Sequence, residues 1–124
     1  MTGEEFRGAI LALIDAHPAL SPSKAGHAAH ALRFMTTSGQ PLAIEPERQS
    51  FQNLWVRADG VNARRLSDIE SRLYDHTTFE ESKPNHNLFG EAAFKDTDLI
   101  CFKVVTIWEA VRVIAEAAGM GDRR

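Results

Sequence analysis

Apolar side chains along the first sixteen residues recur as they do on one face of a helix. Phe6, Ile10, Leu13 and Ile14 follow one another at intervals of four, three and one, which predicts an amphipathic helix over 4–16. His17-Pro18 ends it, because a residue before proline is pushed out of the α region. Ser21-Pro22 then reads as an N-cap followed by proline at the first helical position. A second helix is expected from there to about Met35, with Ala25, Ala28, Ala29, Leu32 and Met35 on one side and Gly26 allowing close approach. The two together read as an N-terminal αα-hairpin, and residues 36–41 as the loop that closes it.

Residues 41–49 carry two prolines and no period, and read as irregular. Residues 52–57, centred on Leu54, Trp55 and Val56, suit a strand. Asp59-Gly60 is a turn, after which Asn62 caps an expected helix to about Tyr74 on the spacing of Leu66, Ile69 and Leu73. The alternative, a hairpin turning at Asp59-Gly60, lacks the period-two pattern in 61–70. Residues 75–97 have no long pattern and exceed an ordinary connection, with Phe79, Leu88, Phe89 and Phe94 available to pin them down.

The strongest signal is at the end. Residues 99–105 are almost continuously apolar, as in a strand covered on both faces. Thr106 with Glu109 forms a capping box. The final helix presents Ile107, Val111, Ile114 and Ala118 inward, and Gly119 stands at the C′ position.

The fold class is therefore α+β: one domain over 1–124, an αα-hairpin, a small sheet and a C-terminal strand–helix unit, with 1–3 and 120–124 frayed. Two strands alone do not make a stable sheet. Either a further strand lies in 40–50 or 76–90, or a partner chain completes the sheet. The second possibility predicts a homo-oligomer, a two-fold dimer, with Trp55 at the seam on an edge strand. Trp55 and Trp108, each between apolar neighbours, are otherwise expected in the core; an exposed Trp55 marks an interface instead.

Composition narrows the function classes. Of 124 residues, 44% are hydrophobic and 25% charged, ordinary globular values. Fourteen basic residues against seventeen acidic ones give a net charge of −3, which makes nucleic acid an unfavoured partner. A single cysteine, Cys101, excludes an internal disulfide and a cysteine-rich zinc site. Glutamates stand where an export signal carries positive charge, and no run approaches a membrane span, so a cytoplasmic protein is expected.

Candidate chemistry is sparse. His27 and His30 lie three apart but have no third ligand nearby, so no metal is expected. His86 and His76 bracket the long loop and are the candidate acid–base groups. Asn85, His86 and Asn87 have the polarity of a pocket rim, though asparagines also belong in plain turns. Arg57, Arg64 and Arg65 are candidate anion ligands, against a reading as a mixed-charge face in which Arg64 and Arg72 each pair with Asp68. Cys101, mid-strand, reads as a small hydrophobe. No phosphate-cradling glycine loop, dinucleotide fingerprint, serine elbow or paired-cysteine zinc spacing is present, and no cofactor is expected.

The reading that follows is a binding or interaction module without catalysis, of the accessory, regulatory or inhibitor kind, with a protein partner. The alternative is a small hydrolase acting on a phosphate-bearing substrate through His86 with Arg57 or Arg64. A third reading is a DNA-binding regulator that uses the N-terminal helix pair.

Overall fold

A computed structural model describes residues 2–28, 30–47 and 50–120. Its elements in chain order are α1 (Gly3–Ala16), β1 (Leu20–Pro22), β2 (Leu32–Thr36), β3 (Pro41–Glu45), β4 (Gln52–Arg57), β5 (Ser71–Tyr74), α2 (Phe79–Ser82), β6 (Leu99–Val104) and α3 (Ile107–Ala117). The strands form one antiparallel sheet in the order β1-β2-β3-β4-β6-β5. The α+β class and the C-terminal strand–helix unit are as the sequence pattern predicts. Among the described residues, no helix is long and apolar enough to cross a membrane.

Period two organises the sheet, since successive side chains in a strand point to opposite faces. Leu42, Ile44, Leu54, Val56, Ile100, Phe102 and Val104 point to one face, where Phe6, Ile10 and Ile14 of α1 meet Ala110, Val113, Ile114 and Ala117 of α3. Ala43, Trp55 and Leu99 point to the other, where Leu88 and Phe94 cover them. Pro41–Glu45 is thus buried on both faces, which is why it shows no alternation. The irregular reading of 41–49 is corrected over 41–45, and of the three ways to complete the sheet the chain uses a strand in 40–50.

Three elements differ from expectation. Residues 21–35 do not form a helix, so there is no αα-hairpin and the helix pair that a DNA-reading motif needs is not made. Ser21 and Pro22 lie in β1, a turn follows with Gly26 at φ 77°, and β2 pairs with β3 through Phe34↔Leu42. The alanine spacing of 25–32 mimicked a helix stripe, but Leu32, Arg33 and Phe34 alternate between the two sheet faces. Ala29, expected on that helix, lies outside the described residues.

Residues 62–74 also form no long helix. Asn62 does cap, accepting from the Arg64 N–H, but only a 3-10 turn over Ala63–Leu66 follows. The chain then adds β5 beside β6. The ends, expected to be frayed, carry hydrogen bonds where they are described. Thr2 closes a capping box with Glu5 on α1, and the Met120 N–H bonds to the Ala115 carbonyl. Met1 and residues 121–124 lie outside the described residues.

The segment 75–97 becomes a layer of its own. It consists of α2 and short 3-10 turns and sits on the second sheet face. Arg33 anchors it. This buried side chain donates from Nε to the Gly26 carbonyl, from Nη2 to Ala25 and from Nη1 to Asn87. Glycine at position 90 makes room for it, since a Cβ there would collide with the Arg33 guanidinium and push it from these carbonyls.

Helix α3 is capped as predicted. Thr106 Oγ1 accepts from the Glu109 N–H, the Glu109 carboxylate accepts from the Val105 N–H, and Gly119 turns at φ 74°. Of the residues expected inward, Ile114 and Ala118 are buried and Ile107 and Val111 only half-buried, while Ala110, Val113 and Ala117 complete the inward face. Small residues let α3 lie close to the sheet and beside α1.

Candidate functional site

The candidate residues from the sequence are spread over both sides of the sheet. Arg57 ends β4 and is bound by Asp59 at 2.7 Å, with its other Nη reaching the Ala93 carbonyl. Arg64 is exposed on the turn whose Leu66 packs into the helix-side core. His86 is exposed on the 3-10 turn whose Leu88 packs into the opposite core. Arg64 and His86 therefore belong to segments on opposite faces, and the sheet separates them. A joint anion site of His86 with Arg64 is not formed.

Arg65 pairs with Glu116 at 2.6 Å. Asp68, expected to bind Arg64 or Arg72, is taken instead by a bidentate contact from Arg112 of α3. His27 accepts from the Arg33 N–H and rests against Phe34, so it is a turn residue rather than half of a helical pair with His30.

His76 has a defined place. Its ring Nδ1 stands 2.7 Å from Asp98 Oδ1, and its backbone N–H donates to the same oxygen. Asp75 lies 3.9 Å away. The hydrogen bond with Asp98 raises the His76 pKa and lowers that of Asp98, so the charged pair is favoured. Thr77 donates to Asp75 from both its N–H and its hydroxyl. These contacts fasten the start of 75–97 to the strand β6 that follows it.

Asn85 and Asn87 split in role. The Asn85 side-chain carbonyl accepts from the Asn87 N–H and side-chain amide, an ordinary turn. Its amide group, however, reaches across to the Glu45 carboxylate and the His30 carbonyl. Glu45 also accepts from Asn53 Nδ2 at 3.0 Å. Glu45 and Asn53 border a hollow of about 230 Å³ on the second sheet face, where 75–97 leaves β4, β5 and β6 uncovered. Glu70, Ser71, Arg72, Tyr74, Cys101 and Lys103 complete its wall and Trp55 contributes to its lining. Burial pushes the Cys101 thiol up to about 12, with Glu45 adding to it, so the thiol is no nucleophile.

Of the two tryptophans expected in the core, one is there and the other is not, and the alternative place of Trp55 at a seam is not the one it takes. Trp55 is on a central strand, 3% exposed, stacked at 4.9 Å on Tyr74, and not at an edge or a seam. Trp108, expected in the core, is 67% exposed. It begins an outward stripe on α3 that continues through Val111 and Ala115 to Met120, beside a groove of about 510 Å³. A tryptophan followed by i+3 and i+7 apolar positions was visible in the sequence as a second possible stripe; only packing selects which one turns inward. Compared with family models, curated proteins and solved structures, the chain matches none.

Proposed function

We propose that this protein is a binding module that pairs with a second copy of itself through the outer face of α3. The observation that carries the reading is Trp108, a large apolar side chain held two-thirds in solvent at the head of an apolar stripe. Exposed aromatic residues are enriched at interfaces and supply much of their binding energy. The earlier motive for a dimer, a sheet too small to stand alone, no longer applies, because the chain supplies six strands.

The stripe suits its own copy. Positions 108, 111, 112 and 115 are symmetric about their midpoint, so an antiparallel α3–α3 contact sets each Trp108 against the partner's small Ala115, as a two-fold interface demands. The flanking charges are already neutralised within the chain, Arg65 by Glu116 and Arg112 by Asp68. An apolar surface fits such a face better than a strongly acidic or basic one. Light scattering over a tenfold concentration range tests this. Twice 13.8 kDa is expected at high concentration, and Trp108→Lys is expected to stay at 13.8 kDa. A wild-type mass fixed at 13.8 kDa, or a dimer undisturbed by Trp108→Lys, overturns it.

A further inference from the structure

The hollow on the second sheet face holds, beside the Lys103–Glu70 contact, a carboxylate and a guanidinium that have no ionic partner among the described residues. Strand register dictates its layout. Arg33, Ala43, Trp55, Cys101 and Arg72 are successive partners across β2, β3, β4, β6 and β5, and thus form one row on this face. Glu45, Asn53 and Lys103 form the next row. The layer 75–97 covers the Arg33 end and stops short of the Arg72 end, leaving the hollow between Glu45 on β3 and Arg72 on β5.

Glu45 is half-buried and receives two neutral amide donors, Asn53 and Asn85, one on each oxygen. No cation pairs with it among the described residues. Two amides from different elements fix the carboxylate in place without neutralising it, and its remaining lone pairs stay free. At the other end, the Arg72 guanidinium lies 4.4 Å over the Tyr74 ring and has no carboxylate partner among the described residues. Glu70 also lines the hollow, with Lys103 beside it at 3.9 Å, and Lys103 leans on the Phe51 ring, so this pair balances itself and leaves Arg72 as the cation without a carboxylate. Between these ends, Trp55 leaves its indole N–H buried without an acceptor. A buried donor without a partner costs about 1–3 kcal/mol, and such groups in native folds commonly await a water, an ion or a ligand.

We infer that this hollow binds a small zwitterion whose positive end faces Glu45 and whose carboxylate faces Arg72. Strands β3 and β5 stand three strand spacings apart, about 14 Å between backbones, and the two side chains reach inward from either end. The ligand charges must then be separated by several bonds, as in an ω-amino acid or a dipeptide, rather than by the single carbon of an α-amino acid. The hollow's size, below the usual range for drug-sized ligands, agrees with so small a molecule. The site is on the sheet face opposite α3, so it stands or falls independently of pairing through Trp108.

Nitrogen–proton correlation spectra of the full chain, titrated with 6-aminohexanoate and separately with glycine, test the inference. Saturable shifts of the Asn53 and Asn85 side-chain amides and of the Trp55 indole N–H are expected with 6-aminohexanoate, and at least tenfold weaker binding with glycine. Glu45→Gln and Arg72→Gln are each expected to weaken 6-aminohexanoate at least tenfold. Arg72 is exposed, so its variant keeps the test open if Glu45→Gln fails to fold. Absence of saturable shifts up to about 20 mM, or undiminished binding by Arg72→Gln, overturns it.

Discussion

Replacing Ile114 and Val111 one at a time separates two helix faces that sequence spacing treats alike. Ile114 is fully buried between the sheet and α1, whereas Val111 is half-buried on the flank of α3 that borders the groove. Ile114→Ala removes three carbon groups from the core, a transfer loss of about 2.4 kcal/mol at about 0.8 per group. A residual cavity of roughly 50 Å³ adds about 1.2 kcal/mol at about 24 cal/mol per Å³. The expected destabilisation is therefore about 3–4 kcal/mol, a large part of the roughly 5–15 kcal/mol that holds a domain of this size. Val111→Ala loses less area and leaves no closed cavity, so about 0.5–1 kcal/mol is expected. Urea unfolding followed by circular dichroism measures both. Two protein concentrations are needed, because self-association would add stability that rises with concentration. Equal losses for the two variants, or a loss under about 1 kcal/mol for Ile114→Ala, would refute the placement of α3.

Three further outcomes are expected. Gly90→Ala should destabilise the protein and expose residues 75–97 to proteolysis, since its Cβ displaces the Arg33 guanidinium from the carbonyls it binds; an unchanged digestion pattern would deny Arg33 its anchoring role. The His76–Asp98 contact should be strongest between the usual Asp value of 3.8 and the usual His value of 6.5. The raised His76 pKa makes its contribution fade as pH rises through and beyond 6.5, and the lowered Asp98 pKa makes it fade as pH falls below 3.8; an Asp98→Asn variant whose pH–stability profile matches wild type counts against the contact. Cys101 should react with a thiol reagent at pH 8 roughly 10³-fold more slowly in the folded than in the urea-unfolded chain, given a thiol pushed up to about 12 against an ordinary value near 8.5; comparable rates would place the thiol in solvent.

The sequence by itself determined what local physics decides. Helix α1, strands β4 and β6, and the capped α3 were legible because each carries a complete signal: an amphipathic period, a β-branched or apolar run, or a cap with its glycine stop. Tertiary structure decided the rest. Pro41–Glu45 shows no period because both of its faces are covered, and β5 is a four-residue edge strand that exists only because β6 offers it a partner. Residues 25–35 have alanines at helical spacing, yet the gain of pairing β2 with β3 and burying Phe34 against α3's side of the sheet outweighs a modest local preference. Trp108 illustrates the same limit on α3, where two apolar stripes share one helix. The small residues Ala110 and Ala117 let the helix approach the sheet closely on their side, and that leaves Trp108 outside. Of the Glu45–Asn53–Asn85 cluster only Asn85 had a signal in the sequence, as one of the asparagines with the polarity of a pocket rim. Its members come from β3, β4 and the turn before residues 86–90, and only strand register and the folding of 75–97 over the sheet bring them together.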